Sequence, residues 1–272
     1  MQETGAAQLS HATMLSSTTG RKLAVKDYEL LTWTPEMVKN YWDYEAQFPE
    51  KFFTYRRGKE IIRQINEYLK KDGTVLDYGC GPGNLIDPLL NAGFRVAGLD
   101  SSPSAREQVK QRFGNNERFV GAFEQSEINI SKLHFDVIIV AEVIEHLYDT
   151  QLDQLMETLK TLSTPGTRII FTTPNEEILE DSHILCPVSG KVFHRWQHVR
   201  SWSREGLESY LQSRNFKVIK TFTTDFDASF ATPGEKHPVR AKWTALRKKL
   251  KYKTRPHKKR PHLVAIASPN QD

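Results

Sequence analysis

The stretch VLDYGCGPGNL (Val75–Leu85) limits the fold more than any other part of the chain. An apolar run ends in Asp77, and Gly79, Gly81 and Gly83 then remove three side chains within five positions. Glycine reaches positive φ at no steric cost and lets another group touch the backbone. Followed by a helix over Asn84–Leu90, the loop presents free N–H groups and a positive dipole end to a ligand. The spacing is G-x-G-x-G. The dinucleotide fingerprint G-x-G-x-x-G would need a third glycine where Asn84 stands. Asp77 would repel a pyrophosphate and attract an ammonium group. The loop therefore predicts a ligand with both an amino and a carboxyl group; the bland alternative is an ordinary βα turn.

Strand and helix patterns alternate after this point. Strands are predicted at Thr74–Leu76, Phe94–Leu99, Arg118–Val120, Phe135–Val140, Arg168–Thr172, Phe216–Phe222 and Leu263–Ser268. Helices are predicted at Arg57–Lys70, Ser104–Arg112, Leu152–Leu162 and Ser203–Ser213, the last opened by a capping serine. The pattern predicts an α/β fold: an open, mostly parallel sheet with helices on both faces. Such sheets bind ligands beyond the carboxyl ends of their strands, where strand order reverses. The glycine loop falls there. Asp100 closes the second strand, where a carboxylate accepts from both hydroxyls of a ribose. Together the two acids point to a nucleoside joined to an amino acid.

Three segments, LDYGCGPGN, GLDSSPSA and FDVIIVAEVIEHLYD, resemble the first, second and fourth motifs of class I S-adenosylmethionine (SAM) dependent methyltransferases. The resemblance covers about Thr74 to Phe222, with HLVAIAS as the last strand, antiparallel in that family. It implies a Rossmann-like fold with a seven-stranded sheet and SAM as cofactor. By the resemblance, Asp77, Gly79, Cys80, Gly81, Gly83 and Asn84 hold the methionine end. Asp100 and Ser101 hold the ribose, Ala122 and Phe123 border the adenine, and Glu142 and Val143 line the sulfonium side. The family often carries an acid after the third strand; here the run is Ala122-Phe123-Glu124.

Glu142, Glu145 and His146 sit at the mouth of the predicted crevice. One reading makes His146 a general base, with Glu145 as its neighbour, taking a proton from an acceptor oxygen. Another makes the cluster a divalent cation site with a later ligand at His198. That pattern resembles small-RNA 2′-O-methyltransferases, which carry a Glu-x-x-Glu-His run and a later histidine, and the same run resembles ubiquinone-pathway O-methyltransferases. The third reading has Glu145 and His146 brace the site. No residue is assigned as a metal ligand.

ILCPVSGKVFHRWQHVRSW resembles a zinc knuckle that has lost a thiol; Cys186, His194 and His198 give at most three ligands where structural zinc wants four. A folded loop over the acceptor pocket is expected instead, with Phe193, Trp196 and Trp202 as walls or as core. Twelve of the 38 basic residues lie between Lys236 and Pro261 with no acid among them, so the rest of the chain carries more acid (33 in all) than base. Trp243, Leu246 and Leu250 share a helical face there, the pattern of an interfacial helix on an anionic membrane; RNA phosphates would suit the charge as well.

Residues 1–24 read as a disordered tail and 25–72 as an aromatic-rich helical extension. Residues 73–272 are predicted to form the methyltransferase domain, with a basic insertion at 236–261. No run approaches a membrane span and no secretory signal is visible. Two cysteines make no disulfide framework. The expectation is a cytoplasmic enzyme, peripheral to a membrane if the basic helix docks there, that O-methylates a small or lipid-linked acceptor. A metal-dependent RNA 2′-O-methyltransferase, a non-catalytic SAM-binding scaffold and, last, an NAD oxidoreductase are the alternatives.

Overall fold

A computed structural model describes residues 28–130, 133–226, 243, 247 and 260–270. The tail and most of the basic insertion therefore lie outside the described residues; within the insertion, Trp243 and Arg247 are helical and Trp243 is exposed.

Nine strands are named among the described residues: β1 (Thr74–Tyr78), β2 (Arg95–Leu99), β3 (Phe119–Phe123), β4 (Val137–Ala141), β5 (Arg168–Pro174), β6 (His183–Leu185), β7 (Val192–His194), β8 (Phe216–Thr224) and β9 (His262–Pro269). Seven form one sheet in the order β3-β2-β1-β4-β5-β9-β8, with β9 alone antiparallel to its neighbours. Helices are α1 (Pro35–Glu45), α2 (Phe53–Ile65), α3 (Ile86–Asn91), α4 (Pro103–Phe113), α5 (Gln125–Ile130), α6 (Asp149–Leu162) and α7 (Arg204–Ser213). This is the Rossmann-like arrangement expected.

The strand pleat divides the core. Leu76, Ile138, Val140 and Phe171 face α6 and α7, where Leu152, Leu155, Leu159, Leu207 and Leu211 pack. Val75, Val137, Ile139 and Ile170 face the other way, onto Ile61 and Ile65 of α2 and Ile86 and Leu89 of α3. Asp77 shares the parity of Val75, so its side chain is buried on the α2–α3 side. Strand order reverses between β1 and β4, and the loops after both strands meet there.

Several boundaries differ from expectation. The second helix starts earlier, at Phe53, and ends at Ile65 in a 3-10 turn. α3 opens at Ile86, with no side-chain cap, because residues 81–85 stay in turns around the glycines. β3 runs on to Phe123, and α5 was not foreseen. CPVSG is the turn of a β6–β7 hairpin, closed by Cys186 N–H to Lys191 O and Gly190 N–H to Cys186 O. Trp202 belongs to the core, against Tyr210. Ser203 caps α7 as predicted, accepting from Gly206 N–H at 3.0 Å.

Candidate active site

The loop after β1 is built on the end of β2. Gly79 and Cys80 N–H both donate to Leu99 O, at 2.7 and 3.0 Å. Gly81 N–H donates to Asp100 Oδ2 and Ser102 N–H to Asp100 Oδ1, each at 2.8 Å. Arg106 secures the same turn through the carbonyls of Asp100 and Ser101. Gly79 has φ +74°, and a Cβ there would stand 2.7 Å from Val143 Cγ2. So Val143 closes directly on the loop, and the two strand ends touch through a missing side chain.

Asp77 lies beneath this loop, 2% exposed, with Oδ2 lacking a hydrogen-bond partner. Burial, reinforced by the charge of Asp100, pushes its carboxyl up to about 8. A buried, unmatched carboxylate beside a backbone cradle is what an ammonium group would complete. Burial also raises Asp100, against the pull of its two backbone donors. Ala122 and Phe123 end β3 alongside, with Phe123 O accepting from Asp100 N–H at 3.1 Å. The Asn84 side chain donates to Thr54 of α2, and the Cys80 thiol is buried towards Gly98 and the core. Both side chains help frame the loop.

Glu142 follows β4 in a left-handed conformation, φ +54°, that few non-glycine residues adopt. Its N–H donates to Thr172 O and its Oε1 accepts from Thr172 Oγ1, both at 2.8 Å. Burial pushes this carboxyl up to about 7. Glu145 is also buried; Oε2 accepts from Thr173 Oγ1 at 3.0 Å, while Oε1 has no hydrogen-bond partner and lies 3.8 Å from His146 Nε2. Burial, then the nearby Glu142, drives its carboxyl well up. His146 Nδ1 is likewise buried without a partner. Burial, helped by His198, lowers its imidazole to about 3, so the ring is neutral.

Ligand atoms of Glu145, His146 and His198 lie within 4.8 Å of one another. One buried and one half-buried carboxylate beside a neutral imidazole, with Glu145 Oε1 left unmatched, fit a divalent cation: the charge would be neutralised and the free oxygen used. His194 and His198 have turned to Glu177, and Cys186 is not among the groups clustered with them.

Sequence reasoning missed three contributors. Trp42 of α1 packs edge-on against the His146 ring at 4.8 Å and donates from Nε1 to Gln197 Oε1 at 3.0 Å. Gln197, fully buried, donates in turn to His146 O. Asp43 accepts from Ser102 Oγ at 2.9 Å. Helix α1 thus spans from the Asp100 turn to the histidines. The aromatic density of residues 30–55 was the only signal.

A family profile described as a methyltransferase domain matches residues 52–221. The chain belongs to that family. It is a class I SAM-dependent methyltransferase, and the motif order, sheet and glycine cradle agree with the assignment. The chain is 29% identical over 205 residues to the mitochondrial ubiquinone biosynthesis O-methyltransferase of Schizosaccharomyces pombe, covering 67% of this chain and 70% of that one. The Vibrio cholerae ubiquinone biosynthesis O-methyltransferase is 24% identical over 147 residues, 53% of this chain and 58% of that one. The match thus spans somewhat over half to about two thirds of these curated relatives. Among solved structures, a SAM-dependent methyltransferase from Clostridium acetobutylicum shares the fold at a TM-score of 0.55 and 13% identity, covering 86% of this chain and 99% of that one.

Proposed function

We propose that this methyltransferase transfers the methyl group of SAM to an oxygen of a small-molecule acceptor, at a site where Glu142, Glu145, His146 and His198 hold a divalent cation. The convergence of ligand atoms from Glu145, His146 and His198 within 4.8 Å of one another, with Glu145 Oε1 buried and unmatched, carries the reading. SAM, when bound, supplies a methyl group already activated on a sulfonium. The protein must bind it, place the acceptor oxygen in line and dispose of the hydroxyl proton. Asp77, Gly79, Gly81 and Gly83 suit its amino-acid end, Asp100 and Ser101 the ribose, Ala122 and Phe123 the adenine edge, and Val143 the sulfonium side. A cation at the cluster would supply Lewis-acid polarisation of an acceptor oxygen and so ease loss of its proton. The names of the O-methyltransferase relatives support oxygen as the receiving atom.

His146 as general base, with Glu145 beside it, is the second reading; its position at the mouth of the crevice favours it. An imidazole held near 3 is a weak proton acceptor at neutral pH, which is why the cation reading stands first. The basic segment 236–261 remains a proposed membrane contact; no helix among the described residues is long and apolar enough to cross a membrane.

The test uses methyl-labelled SAM, purified protein and a cell extract separated into small-molecule, lipid and RNA fractions. Label in methyl ethers of the small-molecule or lipid fraction is expected. Label confined to RNA, or to methylated nitrogen, would overturn the acceptor assignment.

A further inference from the structure

We propose that Glu177 and His194 clamp the ring of His198 for the Glu145–His146–His198 cluster, with Glu177 acting as a positioning residue. The inference rests on the reading of that cluster as a cation site. Glu177 reaches the histidines because the chain turns sharply after β5. Asn175 N–H donates to Pro261 O and Glu176 N–H to Trp202 O, at 2.9 and 2.8 Å, and Glu176 sits at φ +48°. The Glu177 carboxylate then hydrogen-bonds the His198 ring and lies against that of His194. Oε2 is 2.5 Å from His198 Nδ1, and Oε1 is 3.3 Å from His194 Nε2.

His194 is itself fixed. Its Nδ1 accepts from the backbone N–H groups of Trp196 and His198, both at 3.2 Å, so its proton belongs on Nε2, towards Glu177. Its ring stacks on that of His198 at 4.3 Å and 16°. Stacking sets the plane of His198. The carboxylate, which only accepts, selects the tautomer with hydrogen on Nδ1 and leaves the Nε2 lone pair free. A carboxylate beyond a ligating histidine has this effect on tautomer and ring orientation. Nothing in the acid-rich run of residues 176–181 marks Glu177 out; the fold alone brings it to His198.

The test measures Mn²⁺ affinity by equilibrium dialysis, SAM affinity by calorimetry and, without metal, the His198 tautomer from its imidazole ¹⁵N shifts, all on the full chain. Wild type should bind one Mn²⁺ and show hydrogen on Nδ1. Glu177→Ala should weaken Mn²⁺ about 10- to 100-fold, release the tautomer preference and leave SAM affinity unchanged. Glu177→Gln, whose amide oxygen still accepts from Nδ1–H, should lose less; it also carries the test if the alanine variant misfolds. Unchanged Mn²⁺ affinity and tautomer in both variants would overturn the clamp while leaving the cation site standing. Two Mn²⁺ per wild-type chain would overturn it in favour of a second cation site at Glu177, His194 and His198. A wild type that binds no Mn²⁺ yet keeps hydrogen on Nδ1 would overturn the cation reading, and the clamp's role with it.

Discussion

Asp77 holds a carboxyl in a place that favours its neutral form. Its folded value, about 8, lies far above the ordinary 3.8, so the folded chain binds a proton that the unfolded chain has lost. The linked stability is fully present below about pH 4 and drains away as the pH rises towards 8. Glu142, raised to about 7, acts in the same direction. His146 acts oppositely: lowered to about 3, it resists protonation in the fold and costs stability below about pH 6.5. Asp77→Asn should therefore stabilise the SAM-free protein at pH 8, by something like the ~1–3 kcal/mol at stake in an unmatched buried polar group. It should also flatten the slope of stability between pH 4 and 8 and abolish SAM binding. Thermal melts across that range, paired with calorimetry at pH 7.5, check all three; an Asn variant that still binds SAM normally would remove Asp77 from the site. The acids Asp77 and Asp100 were legible in the sequence because each ends an apolar run beside glycine or serine. Glu177 and Gln197 were not, because their roles come from a turn after β5 and a hairpin return that no local pattern encodes.

At the scale of elements, the site depends on two contacts. The first is the closure of Val143 on Gly79. Gly79→Ala would adopt a left-handed backbone with a side chain and drive its Cβ into the Val143 methyl. A loss of about 1–3 kcal/mol is expected from the strained backbone alone. Adding Val143→Ala should recover part of the loss, and a double-mutant cycle by chemical denaturation measures that coupling. Additive losses would mean that the clash is relieved elsewhere. The second contact is α1, which buries none of its own residues yet bridges Ser102 through Asp43 and Gln197 through Trp42. Few buried contacts make an element easy to open. Hydrogen exchange should find residues 35–45 poorly protected in the SAM-free protein and clearly slowed by SAM; equal exchange in both states would make α1 a fixed wall. The sheet strands were legible from apolar runs, as was α7 from its capping serine. α5 and the β6–β7 hairpin were hidden: the first is short, and the second read as a lost zinc knuckle.

The described residues form a sheet whose strand reversal brings together the glycine loop after β1 and the loop of Glu142, Glu145 and His146 after β4, with His198 reaching the second loop from the segment after β7. Most of the basic segment 236–261 lies outside the described residues; it is where the proposed membrane or nucleic-acid contact would be sought. In the proposed function the work is divided: cofactor binding at Asp77 and Asp100, acceptor activation at Glu142, Glu145, His146 and His198. The direct test runs SAM calorimetry and labelled-methyl transfer in parallel, before and after chelation. SAM binding should survive chelation and transfer should fall to background, returning when Mn²⁺ is restored. Transfer that continues at full rate without metal would contradict the cation site and return the proton to His146.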